Sequence, residues 1–393
     1  MEKTLGTNRY IELDSLRGLA ALAVFFSHIV LILNSGTFID LFQNTPLHIF
    51  WDGAAAVVLF FVLSGFVLTL PYIKQPDKPI EYLPFLTRRI FRIYPAYIAG
   101  LAFALVLKIF LFNKAGISGF SSFINQFWDW KTSELTLGTI VKHIVMIGPN
   151  FTRGQIDPII WSLIVEMKIS IILPIFIFFI RRIRRLWIGV VTFAVALVFC
   201  YASGKFFLKF YPTLTDDVLA YLPMFILGGL LANFHAILIE NIKKLSRILR
   251  IIILCVGLIL YSSRFSLYFL NINYSSYNYI VSIGVAIIII ISISHVKAAM
   301  LLTLKPIKLL GKISYSFYLF HFPILMTFTS LVYSKFHSVV LAFAISLFIS
   351  ILVSYTSYKL VEMPFQLVGR SLSKKVSTSG LFRYADKGHQ LNQ

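Results

Sequence analysis

Residues 15–33 read SLRGLAALAVFFSHIVLIL, and this stretch decides the fold. As a helix rising 1.5 Å per residue it is about 28 Å long, close to the thickness of bilayer hydrocarbon. Two ionisable residues interrupt it, Arg17 and His28. Their spacing makes three helical turns plus about 20°, so both side chains lie on one face, roughly 16 Å apart. Ionisable groups inside a membrane span are expensive and usually functional. A guanidinium near one membrane edge and an imidazole deeper on the same stripe predict a polar path into the bilayer with a base inside it. Asp14 stands one turn before Arg17, where it can pair with it.

The rest of the chain repeats the apolar pattern. It is 58% hydrophobic and 13% charged, against about 25% charged in soluble domains, and its mean hydropathy is +0.83. Ten runs qualify as spans: 15–33, 54–71, 93–112, 159–180, 186–203, 218–238, 248–262, 278–296, 313–333 and 338–361, the seventh being short. The expected fold is therefore an all-α polytopic integral membrane protein with about ten transmembrane helices. An even number puts both termini on one side, and the Lys and Arg of the loops segregate to that side, 25 against 8. By the positive-inside rule both termini are cytoplasmic and the chain sits in the cell (inner) membrane. Topology thus absorbs most of the net charge of +20 and leaves no case for nucleic acid.

Residues 1–370 form the expected transmembrane domain. Its long outer loop, 113–158, carries the aromatic cluster Phe127, Trp128 and Trp130 and a short amphipathic helix from Leu137 to Ile147, suited to the membrane interface. Residues 371–393 are polar and basic and read as a disordered cytoplasmic tail. Cys200 and Cys255 fall in apolar runs and read as small hydrophobes, so neither a disulfide framework nor a metal site is expected. No small-residue cleavage site follows the first run, so no cleavable signal peptide is expected, and no internal repeat is evident.

Four stretches carry polar residues where an inert span would have none. The first is the Asp14, Arg17, His28 stretch. The second, Thr87-Arg88-Arg89-Ile90-Phe91-Arg92, sets three guanidiniums at the cytoplasmic mouth, where they suit phosphates. In the third, Trp161 to Ser170, Ser162, Glu166 and Ser170 share a helix face, and a carboxylate so deep must be paired, neutral or in water. In the fourth, Gly311 to Pro323, Ser314, Tyr318 and His321 fall on one stripe. Each has a plainer reading: topology and lipid contact for the arginines, helix-to-helix hydrogen bonds for the rest.

Together these stretches resemble the membrane-bound acyltransferase-3 family, whose members include bacterial polysaccharide O-acetyltransferases. The matching pieces, in family order, are Asp14-Ser15-Leu16-Arg17-Gly18 with His28, Phe60-Phe61-Val62-Leu63-Ser64-Gly65-Phe66, Arg88-Arg89 with Arg92-Ile93-Tyr94-Pro95, Trp161-Ser162-Leu163 with Glu166, and Ser314-Tyr315 with Tyr318 and His321-Phe322-Pro323. Two departures mark a divergent branch. Val58 stands where many members have an aspartate, and Met167-Lys168 follow Glu166 where many have Glu-Gln. The appended extracytoplasmic hydrolase-like domain of some members is not expected here.

The resemblance implies transfer of an acyl group, usually acetyl, from acetyl-CoA (acyl-CoA) as co-substrate, with no bound cofactor, to a hydroxyl of a carbohydrate or glycolipid acceptor. By carry-over His28 is the catalytic residue, assisted by Arg17, and Arg88, Arg89 and Arg92 lie near the donor. An imidazole suits general-base activation of an alcohol, and Glu166 is expected to orient it or stabilise its cation. Asp14, Ser162, Tyr318 and His321 are expected to support the site or bind the acceptor. The rival reading is a transporter or flippase that uses Arg17, His28 and Glu166 as a relay.

Overall fold

The computed structural model describes residues 10–33, 45–76, 79–112, 120, 136–146, 156–210, 216–266, 274–294 and 297–378. All regular structure among these residues is helical. In chain order the helices are α1 (Ile11–Ile32), α2 (Gly53–Lys74), α3 (Tyr82–Val106), α4 (Leu137–Val145), α5 (Trp161–Ile180), α6 (Leu186–Phe210), α7 (Asp216–Lys244), α8 (Arg247–Tyr261), α9 (Tyr274–Ile293), α10 (Lys305–Phe336), α11 (Val339–Ser357) and α12 (Met363–Thr378). Turns of π-helix prolong α3 and join α11 to α12. Short 3-10 helices precede α2 (Pro46–Phe50), α5 (Pro158–Ile160) and α10 (Lys297–Thr303).

Among the described residues nine helices are long and apolar enough to cross a membrane. They correspond to nine of the ten expected runs. The tenth, α8, has 15 residues and so rises only about 22 Å, short of a full hydrocarbon crossing. Helix α10 is the most deeply packed of the nine, while α6 leaves Val190, Val195, Val198 and Phe199 on the outside, as a lipid-facing helix must.

Helices α1 and α10 fix the position of the site. A Cβ on Gly18 would lie 2.5 Å from Gly311 N, and one on Gly311 would lie 2.5 Å from the Asp14 carbonyl oxygen. Only glycine permits this backbone-to-backbone approach, the small-residue contact typical of membrane helices. Ten residues beyond each glycine stands a histidine, His28 on α1 and His321 on α10. The helices run parallel, so equal steps of about 15 Å from the crossing bring the two rings together.

Two expectations at the periphery change. Residues 371–378, read as tail, continue helix α12, while residues 379–393 lie outside the described residues. Most of the outer loop, including Phe127, Trp128 and Trp130, also lies outside them. Within it α4 starts at Leu137 as read and ends at Val145, two residues short of the expected Ile147, which lies outside the described residues. The Thr136 side chain caps it by accepting from Thr139 N at 3.1 Å, and Met146 closes it with φ 53°. Tyr97 and Tyr94 on α3 tie it down through their hydroxyls, which donate to the carbonyls of His143 at 2.7 Å and Val145 at 3.3 Å.

Candidate active site

His28 Nδ1 lies 3.1 Å from His321 Nε2, with the rings stacked at 5.2 Å between centroids. His321 is completely buried, and its Nδ1 faces the carbonyls of Tyr318 at 2.7 Å and Phe317 at 3.1 Å. Carbonyl oxygens only accept, so these contacts put the His321 proton on Nδ1 and leave a lone pair on Nε2. That lone pair takes the proton of His28 Nδ1. The Val24 carbonyl, one turn back, is a further hydrogen-bond partner of the His28 ring. The His321 contact assigns the neutral His28 ring its proton on Nδ1 and its lone pair on Nε2. Backbone carbonyl, His321 and His28 thus form a chain that sets the tautomer of the last ring.

His28 lines a cavity of about 610 Å³ that Trp51, Asp52, Trp161, Arg264 and Tyr318 also border. The Tyr318 and Ser162 hydroxyls are 2.7 Å apart, and both reach the Ile159 carbonyl. Two expected residues, His28 and Tyr318, therefore border one cavity, and Ser162 stands behind Tyr318. Ser314 does not join them, for its hydroxyl donates to its own helix at Gly311.

The charged residues are arranged differently from the sequence expectation. Arg17 pairs with Asp14 at 3.5 Å and donates to the Leu63 carbonyl at 3.4 Å, which ties α1 to α2. Glu166 forms no ion pair or hydrogen bond with His28. Its Oε1 accepts instead from Arg89 Nη2 at 2.5 Å and from Ser64 at 3.0 Å, so His321 occupies the orienting place that was expected of Glu166. The three arginines of α3 also separate. Arg88 is exposed and reaches Ser373 and the Tyr72 hydroxyl. Arg89 is buried and committed to Glu166 and Ser170. Arg92 is half-buried and acts electrostatically on Glu166 and Glu362. The physical reason is the 100° turn per residue, which aims neighbours 88 and 89 at different helices.

Three acidic residues escaped sequence reading. Asp52 caps α2, accepting from Ala55 N at 2.8 Å, and pairs with Arg264 Nη1 at 2.8 Å. Burial, the largest single influence on this carboxyl, acts upward. His48, Arg264 and the Ala55 N–H outweigh it and hold the group below the usual carboxylate range. Glu362 is buried on the π turn and accepts from Ser316 at 2.8 Å and from Gln366 at 3.0 Å. Asp157 is fully buried ahead of α5, with Oδ1 accepting from Ile159 N at 3.3 Å and Oδ2 without a partner, and burial holds its carboxyl well above the usual range. An N-cap signal at Asp52 was readable before Gly53-Ala54-Ala55; a partner 212 residues away was not. Among the described residues no three His, Cys, Asp or Glu side chains converge as metal ligands would.

Comparison with known proteins agrees with this architecture. The acyltransferase-3 family model, described as an acyltransferase domain, matches residues 10–359. The O-acetyltransferase OatA of Staphylococcus aureus is 24% identical over 386 residues, 92% of this chain and 58% of that protein. The acyltransferase MdmB of Streptomyces mycarofaciens is 33% identical over 196 residues, covering 48% of this chain and 46% of its own length. Nodulation protein 10 of Rhizobium leguminosarum bv. viciae is 26% identical over a similar stretch, 49% of this chain and 51% of that protein. The chain thus spans about half the length of the curated relatives it matches. No solved structure matches. With a helical membrane architecture and a family match over nearly its whole length, the chain belongs to the acyltransferase-3 family.

Proposed function

We propose that this protein moves an acyl group, acetyl in the first instance, from acyl-CoA to a carbohydrate hydroxyl inside the membrane domain, with His28 as general base. The observation that carries this reading is the His28–His321 contact at 3.1 Å beside the cavity. An alcohol ionises far above pH 7, so its attack on a thioester needs a base, and a neutral imidazole is the side chain suited to the task. The acceptor O–H gives its proton to His28 Nε2 while its oxygen bonds the thioester carbonyl carbon. The tetrahedral oxyanion then collapses, the C–S bond breaks, and the imidazolium returns the proton to the departing CoA sulfur. Tyr318, which borders the same cavity and is braced by the Ser162 hydroxyl at 2.7 Å, is the side chain we assign as donor to the oxyanion.

Both termini are read as cytoplasmic in the inner membrane, from the Lys and Arg distribution. Acyl-CoA then enters from the inner side. Arg88 and Arg92 offer cations to its phosphates, and its acyl end passes Arg17 on the way to His28. Arg89, saturated by Glu166, has a structural task instead. The relatives named as an O-acetyltransferase and an acyltransferase support this choice of chemistry.

The test is transfer of label from [14C]acetyl-CoA to carbohydrate in membranes carrying the wild-type chain or His28→Ala. The variant is expected to lose about 10²–10⁴ of the rate, the usual worth of a general base. Full transfer by His28→Ala overturns the assignment. Label carried across the membrane without CoA release is the outcome a transporter would give.

A further inference from the structure

The cavity has a second polar wall, which the transfer chemistry does not use. Four elements meet there. His48 comes from the 3-10 helix before α2, Asp52 from the α2 N-cap, Arg264 from the one-turn helix Ser263–Ser266 after α8, and Asn278 from α9. Asp52 and Arg264 are in direct contact, and Arg264 Nη2 donates to Asn278 Oδ1. His48 Nε2 lies 3.3 Å from Asp52 Oδ2, an ion-pair distance rather than an aligned hydrogen bond. All but Asn278 border the cavity, as do Trp51, Trp161 and, on the facing helix, His28.

Local packing holds this wall against the base. A Cβ on Gly53 would collide with Ser27 Oγ and lie 2.9 Å from Ser27 Cβ. Gly53 alone lets the start of α2 press on the turn of α1 that carries His28. A buried charged network is costly to assemble and weak evidence for stability. This one also leaves His48 Nδ1 buried without a hydrogen-bond partner, a cost that a ligand able to supply one would remove. Expensive polar groups at the rim of a cavity that holds the base point to recognition.

We propose that His48, Asp52 and Arg264, with Trp51 and Trp161, form the acceptor subsite, and that it selects an uncharged, hydroxyl-bearing ring over an acidic one. The chemistry is specific. Indole faces bury the C–H face of a ring. A carboxylate, a guanidinium and an imidazole offer acceptors and donors to its hydroxyls. Among the described residues that border the cavity, Arg264 is the only Lys or Arg and is already in contact with Asp52, so an added carboxylate would meet Asp52 with no second guanidinium or ammonium to balance it. The ring seated there presents a hydroxyl to His28. The inference rests on the acyl-transfer reading for that last orientation only.

The experiment is saturation-transfer NMR on the full chain in nanodiscs. The probes are methyl β-D-glucoside and methyl β-D-glucuronide, which differ by a carboxylate. The account predicts saturable binding of the glucoside, at least tenfold weaker binding of the glucuronide, and at least tenfold weaker glucoside binding by His48→Ala. His48 is at the rim, so His48→Ala is expected to keep its thermal midpoint; His48→Gln serves if it does not. Equal binding of the two probes, unchanged binding by the His48 variants, or no saturable binding overturns the proposal. The two readings fail separately. His48-dependent glucoside binding without any acyl transfer sinks the function and keeps the subsite, whereas His28-dependent transfer without such binding does the reverse.

Discussion

Two of the buried polar clusters among the described residues differ in how they are completed. The inner one joins Arg89, Glu166, Ser64 and Ser170, and every charged group in it has a close protein partner. The outer one joins Asp52, Arg264, His48 and Asn278, borders the cavity, and leaves His48 Nδ1 buried without a partner. A saturated network is a strut between helices α3, α5 and α2. An unsaturated one beside a cavity is a surface for something else to complete. Charge and burial alone do not separate structural from recognition residues; the state of their hydrogen bonds does.

The largest expected effect lies in the inner cluster. Glu166→Gln leaves Arg89 as a mostly buried cation without its counter-charge, which costs roughly 3–5 kcal/mol. Thermal unfolding in nanodiscs is expected to show a markedly lower midpoint, with turnover per folded molecule reduced much less. A normal midpoint with lost turnover would make Glu166 a catalytic residue and erase the contrast. His48→Ala is expected to change stability by less than about 1 kcal/mol and to raise the KM for acceptor at least tenfold, with the KM for acetyl-CoA within about twofold.

Asp157 gives the smallest effect and a sign. Its folded-state value is raised by burial above the unfolded value of about 3.9. The fold holds the neutral form while the unfolded chain ionises. Any stability it contributes is therefore full below about pH 3.9 and is lost as pH rises from there to the folded value. Asn keeps the acceptor for Ile159 N, so Asp157→Asn is expected to equal wild type near pH 4 and to exceed it at pH 7. A variant less stable than wild type at pH 7 would mean that a charged Asp157 is used.

The sequence made the ionisable groups within the spans visible and hid the Asp52–Arg264 cluster. Arg17, His28 and Glu166 stand inside apolar runs, where any charge is conspicuous. Asp52 and Arg264 stand at helix ends, where charges are ordinary, and their meaning lies in a contact across 212 residues. Partner choice was the weak point among the visible groups too. Glu166 was read as the companion of His28 because a carboxylate is the familiar one, whereas the ring beside His28 comes from α10. That pairing depends on the Gly18–Gly311 crossing, which no single motif announces. The fold needed only hydropathy and length, so its spans were legible, apart from the short α8 and the helical start of the tail.

The central claim is that His28 and His321 act as one unit, the second fixing the tautomer of the first. Residues that act as a unit are strongly non-additive. The direct measurement is kcat for acetyl-CoA-dependent transfer by His28→Ala, His321→Ala and the double variant, each checked for a normal thermal midpoint. The account predicts that His321→Ala lowers kcat at least about tenfold with both KM values nearly unchanged, and that the double variant is no slower than His28→Ala within about threefold. Losses that multiply in the double variant, or a His321→Ala enzyme with full kcat, would contradict it.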